Sequence, residues 1–146
     1  LVLKLGGTLD KFTGDGLVVV FGLDDCPPAL AAQRCADMAL AMRPALASLL
    51  QSWRLRFSRL PVGQRIGIHS GECLVGSFGC PERLNYTVLG RAVHVASRLE
   101  QLALPNEILV SAETAELLAE RYKLEDRLPA HVPGLESKLC HSALLD

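Results

Sequence analysis

Between Pro28 and Trp53 the residues Ala32, Cys35, Ala36, Ala39, Met42, Leu46, Leu49 and Trp53 recur at helical spacing, which predicts one long helix with a single apolar face. Pro28 suits its first position, where a missing N–H costs nothing, and Pro44 predicts a kink within it. A helix of this length commits the chain to helical layers, yet the flanking segments are short runs of β-formers. Thr8 to Phe12 and Leu17 to Phe21 flank Thr13-Gly14-Asp15-Gly16, the pattern of a hairpin. Leu1 to Leu5 reads as the end of an apolar element that Gly6-Gly7 caps and releases.

Beyond the helix, strands are expected at Gln64 to His69 and Cys73 to Phe78, joined around Ser70-Gly71, and a short extended segment at Asn85 to Leu89. Gly90 then precedes a helix to about Gln101, followed by a strand at Glu107 to Val110, a helix at Ala112 to Tyr122 and a final edge strand at Lys138 to Leu144. This order predicts an α+β domain, with helices on one face of a mainly antiparallel sheet. The length of 146 residues suits a single domain spanning 1–146.

Composition narrows the functional classes. A net charge of -1 without a long basic run argues against a nucleic-acid partner. Arg54, Arg56 and Arg59 read as a solvated turn at the C-terminal end of the long helix, where cations suit the helix dipole. The cysteines Cys26, Cys35, Cys73, Cys80 and Cys140 form no C-x-x-C pair, so neither a disulfide framework nor a zinc site is expected, and a cytoplasmic setting fits best. No apolar run approaches the ~20 residues of a membrane span, so no membrane contact is expected from this segment.

Polar chemistry concentrates in two places. Asp15 lies between two glycines at the hairpin tip, where backbone freedom lets a carboxylate project. Lys11 lies four residues earlier, up to ~13 Å away along an extended strand, so the two groups suit different sites. The second concentration is the run Arg83 to Glu100, in whose helix Arg91, His94 and Arg98 share one face. Spacing alone fits a solvated stripe there as well as a site. Gly71-x-x-x-x-Gly76-Ser77 lacks the Lys-Ser/Thr ending of a phosphate loop and reads as a hairpin. His69-Ser70 has no evident acidic partner, and Glu72, His131 and His141 read as structural or exposed.

Three runs, G-G-T-L-D-K-F-T-G-D-G-L-V-V-V-F-G at Gly6 to Gly22, R-I-G-I-H-S-G-E at Arg65 to Glu72 and Y-T-V-L-G-R-A-V-H-V-A-S-R-L-E at Tyr86 to Glu100, closely resemble the class III nucleotidyl cyclases, notably bacterial adenylyl cyclases. The likeness covers nearly the whole chain, fading after about Leu124. It implies a ferredoxin-like cyclase fold and conversion of ATP to cyclic AMP. By position, Asp15 matches a metal-binding aspartate for two Mg2+ or Mn2+ ions that polarise the α-phosphate. Lys11 and Thr87 match the pair that reads the base: a lysine donates to adenine N1, and the threonine hydroxyl accepts from the 6-amino group, which favours ATP over GTP. Arg98 matches the cation that stabilises charge at the α-phosphate as pyrophosphate leaves. The family splits these groups between two chains, so the resemblance implies a homodimer with two sites and an inactive single copy.

Two departures stand out. Where the family places a ribose-orienting asparagine, four residues before the arginine, the chain has His94, which implies reduced or unusually pH-dependent activity. The family also has a metal-binding aspartate on a first strand followed by two helices, and the sequence starts after them; this implies a domain truncated at its N-terminus that alone neither holds both metals nor turns over. The rival reading is a degenerate cyclase-like module that binds nucleotide or pairs with a partner without catalysis. A diguanylate cyclase is disfavoured, because Gly6-Gly7 leads into Thr8-Leu9 rather than two acidic residues and an aromatic.

Overall fold

The computed structural model describes residues 1–54, 62–135 and 137–145. A 3-10 turn at Leu3–Leu5 closes on Gly6, whose left-handed φ of 79° lets its N–H return to the Leu3 carbonyl. Two strands follow, β1 (Thr8–Thr13) and β2 (Gly16–Val20), then the long helix α1 (Pro28–Arg54), helical through Pro44. The order continues with β3 (Ile66–Ile68), β4 (Leu74–Cys80), β5 (Arg83–Leu89), α2 (Arg91–Leu102), β6 (Ile108–Ser111), α3 (Ala112–Leu118), β7 (Leu124–Asp126) and β8 (His141–Leu144). Arg56 and Arg59 lie outside the described residues.

Four strands form the central sheet in the order β3, β6, β8, β7; β3 and β6 run parallel and the other neighbours antiparallel. All four residues of β6 and of β8 are buried, as strands covered on both faces must be. The alternation of β6 shows what covers them. Ile108 and Val110 join Ile68 and Leu144 against Ala32, Ala36 and Ala39 of α1 and Leu118 of α3. Leu109 and Ala143 point the other way, onto Val95 and Leu99 of α2 with Val132 and Leu139. The helices therefore occupy both faces rather than the one expected, because every second side chain of these apolar strands needs cover on its own side.

Three other expectations are corrected. The final strand is not at an edge: β8 sits between β6 and β7, and the edge strands are β3 and the three-residue β7, the latter too short to stand out as a pattern. The strands flanking Ser70-Gly71 are not partners. β3 pairs with β6, while β4 forms a hairpin with β5 through seven matched positions, so the segment expected at Asn85 to Leu89 is a full strand from Arg83. The helix expected to reach Tyr122 stops at Leu118. A turn then brings the Tyr122 hydroxyl within 2.6 Å of the Asp37 carboxylate on α1.

The β1–β2 and β4–β5 ribbons are each two-stranded sheets of their own, outside the central sheet. Their side chains are largely exposed, with Phe12, Leu74, Leu84 and Tyr86 all more than half accessible. No helix among the described residues is long and apolar enough to cross a membrane.

Candidate functional site

The β1–β2 ladder pairs Leu9 with Val19 and Lys11 with Val18, so Asp10 is one residue too many: a β-bulge. In a regular strand Asp10 and Lys11 would point to opposite faces. Here both reach Thr87 on β5, 77 and 76 residues away. The Lys11 ammonium donates to Thr87 Oγ1 at 2.8 Å, and Thr87 Oγ1 donates to Asp10 Oδ2 at 2.9 Å. Lys11 Nζ also lies 3.3 Å from the same carboxylate oxygen, closing a three-membered polar cluster. The Asp10 side chain is 4% exposed and that of Lys11 41%, so the carboxylate is enclosed while the ammonium still faces solvent. A buried carboxylate is tolerated only with such partners. Opposite Thr87 on β4 lies Gly76, where a Cβ would meet only the Phe78 ring, at 3.9 Å.

Lys11 and Thr87, expected to read a base together, are thus in direct contact. Asp10 was missed. Its only trace in the sequence is its place beside Lys11, and nothing in T-L-D-K-F-T announces a bulge.

Asp15 occupies the two-residue turn between β1 and β2, exposed, with Gly14 before it at φ 66°. Its carboxylate is a hard oxygen donor of the kind Mg2+ and Mn2+ prefer, and Mg2+ commonly takes one or two carboxylates and completes its shell with phosphate and water. Among the described residues no three metal-ligating side chains cluster. Asp15 therefore fits as one ligand of a site that substrate phosphates would help to build.

His94 and Arg98 lie one turn apart on the outer face of α2, His94 exposed and Arg98 half-buried with Nη1 2.8 Å from Gln101 Oε1. The opposite face carries the buried Val95 and Leu99. Two glycines fix this helix. Gly90, at φ 144° and ψ 172°, joins β5 to α2 in a conformation open essentially to glycine alone. Gly67 of β3 allows α2 to lie directly on the sheet, since a Cβ there would sit 2.2 Å from the Ala96 carbonyl oxygen and 2.3 Å from the Glu100 nitrogen.

A separate open cleft of about 650 Å³ is lined by His69, Glu72, Arg91, Glu113, Lys138 and Cys140, among others. His69 Nδ1 lies 2.8 Å from Ser111 Oγ and 3.7 Å from Glu113 Oε2, so His69 does have an acidic neighbour that the sequence concealed. Both contacts fall on one ring nitrogen, which is not the arrangement of a nucleophile relay, where base and orienting acid use opposite nitrogens. Burial holds the His69 imidazole below its ordinary pKa, against the pull of Glu113, and Arg91 lowers it further. Lys11, Asp15, Thr87, His94 and Arg98 lie outside this cleft.

The profile of a family described as adenylate and guanylate cyclase catalytic domain matches residues 10–144. The chain belongs to this cyclase family. An adenylate cyclase of Anabaena cylindrica is 38% identical over 103 residues, covering 68% of the chain and 19% of that protein. An uncharacterized protein of Mycobacterium tuberculosis, Rv1318c, is 33% identical over 132 residues, covering 86% of the chain and 22% of that protein. The cyclase domain thus spans about a fifth of the length of these relatives. Among solved structures, the adenylyl cyclase CyaB from P. aeruginosa superimposes with a TM-score of 0.96 at 37% identity, covering 99% of the chain and 74% of that structure. The guanylyl cyclase Cya2 superimposes at 0.80 with 28% identity, covering 98% and 72%. The expected α+β cyclase fold is therefore the observed one. Relatives named for both nucleotides leave the choice of base to the domain's own residues.

Proposed function

We propose that the domain converts ATP to 3′,5′-cyclic AMP and pyrophosphate at sites shared between two copies of itself. The Lys11–Thr87 contact carries this reading: an ammonium donor beside a hydroxyl acceptor complements the N1 and 6-amino edge of adenine, whereas guanine offers a proton at N1 and an oxygen at C6. In the reaction the ribose 3′-oxygen forms a bond to the α-phosphorus, the bond from that phosphorus to the β-phosphate oxygen breaks, and the 3′-hydroxyl proton is lost to solvent. Arg98 stabilises the charge that grows on the α-phosphate and the departing pyrophosphate. His94 donates a hydrogen bond to the ribose, and Lys11 and Thr87 hold the base. Asp15 contributes a carboxylate for two Mg2+ or Mn2+ ions, which when bound polarise the α-phosphate and lower the cost of the 3′-alkoxide.

The exposed apolar side chains of the β4–β5 ribbon suit burial against a second copy. Incubating the full-length polypeptide with ATP or GTP and Mn2+ and identifying the cyclic products tests the reading. Cyclic AMP in excess supports it; preferential cyclic GMP overturns the base assignment. The exposed histidine at position 94 favours one rival, a module that binds nucleotide without cyclising it. Nucleotide binding with no cyclic product identifies that case.

A further inference from the structure

Asp10 takes no part in the functional reading above, yet it is the most enclosed member of the polar cluster. The protons available to that cluster decide what it does. A threonine hydroxyl has one proton and two lone pairs, a carboxylate only accepts and an ammonium only donates. Between Asp10 and Lys11, Thr87 has a single consistent arrangement: its proton goes to Asp10 Oδ2 at 2.9 Å, and one lone pair receives Lys11 Nζ at 2.8 Å. One lone pair is left for a ligand, and no proton. We propose that Asp10 is the positioning residue that sets base selectivity, by holding Thr87 as an obligate acceptor and Lys11 beside it.

This inference rests on Lys11 and Thr87 reading the base. It goes further because a free threonine hydroxyl does not discriminate: rotating its O–H, it accepts from the 6-amino group of adenine or donates to the 6-oxygen of guanine with equal ease. Selectivity at the 6-position then needs a group that removes the rotation, and a buried carboxylate does so without touching the nucleotide. The bulge is what delivers it, since regular alternation would turn Asp10 away from Thr87. Sites whose buried polar groups must be matched reject a wrong hydrogen-bonding edge far more strongly than apolar pockets reject a wrong shape.

The test uses the full-length protein and nucleotides that cannot cyclise, 3′-deoxy-ATP, 3′-deoxy-GTP and 3′-deoxy-ITP, titrated by calorimetry with Mn2+ present. The wild type is expected to prefer the adenine nucleotide over both others by at least about tenfold. The hypoxanthine nucleotide isolates the 6-oxo edge from the 2-amino group, and tight binding of it by the unaltered protein overturns the proposal without any variant. Asp10→Asn replaces an acceptor-only oxygen with an amide that also donates, which frees the Thr87 proton. It is expected to lower the adenine preference by about tenfold or more, mainly through tighter binding of the 6-oxo nucleotides. In a Thr87→Val background the same substitution is expected to leave the preference unchanged, because no hydroxyl remains to orient. A purely structural role predicts equal weakening for all three nucleotides in both backgrounds, and that result overturns the proposal. Lys11→Ala separates the two levels. If it leaves adenine binding intact, the base-reading assignment itself fails and the proposal with it; if it weakens adenine binding while Asp10→Asn preserves the preference, only the role of Asp10 fails.

Discussion

His94 stands on the exposed face of α2, where the family resemblance leads one to expect an asparagine, and an imidazole is bulkier than an amide and offers a different hydrogen-bonding edge. His94→Asn is expected to raise the cyclisation rate, measured as initial velocity at saturating ATP. An unchanged rate would remove His94 from the ribose site. His69 makes a prediction about stability instead. Its folded-state pKa lies below the ordinary 6.5, so the unfolded chain binds the proton more readily. The stability that His69 contributes is therefore complete above about pH 6.5 and is lost as pH falls through its lower folded-state value. Glu113, held below its usual range chiefly by backbone hydrogen bonding, adds its own loss in stronger acid. Melting temperatures from pH 7.5 to 5 are expected to fall more steeply for the wild type than for His69→Gln, and parallel slopes would refute the assignment.

At the scale of elements, α2 hangs on Gly67. Because a Cβ would strike the helix backbone rather than a mobile side-chain end, no rotamer change relieves it. Gly67→Ala is expected to destabilise the domain by about 3 kcal/mol, the upper end for overpacking, and to cut activity by displacing His94 and Arg98. Denaturant melts and initial rates check both effects, and an unchanged midpoint would mean that α2 does not rest on β3 as described. Elements also mark the limit of what the sequence disclosed. The long α1 was legible because apolar residues recur at helical spacing along it, although the buried face is confined to Ala32, Ala36 and Ala39 while Leu49 and Trp53 are exposed. The two-sided sheet was not, since a run of three apolar residues such as Ile108-Leu109-Val110 has no alternation from which to read a second helical layer. The β4–β5 hairpin was misassigned because its largely exposed side chains carry no inward face to fix a partner. Lys11 and Thr87 were legible through motifs, while Asp10 depended on a backbone irregularity that ordinary strand residues do not announce.

The whole molecule separates a framework from a working surface. Lys11 and Asp15 share a single ribbon, and the proposed division of labour needs Asp15 of one copy to serve a site whose Arg98 comes from the other. Asp15→Asn and Arg98→Ala chains, each inactive alone, are then expected to recover about a quarter of the wild-type rate when mixed equally, since half the dimers are mixed and each holds one intact site. No recovery, with mixed dimers demonstrated, would place all the groups of a site on one chain. The two ribbons stand outside the four-stranded sheet and meet through the Asp10, Lys11 and Thr87 side chains. A base held as proposed by Lys11 and Thr87 would act as a clasp between two exposed ribbons, which are expected to open more easily than the buried β6 and β8. Amide hydrogen exchange is expected to slow on β1 and β5 when nucleotide is added, with the centre of the sheet unchanged, so that the strands nearest unfolding report the ligand first.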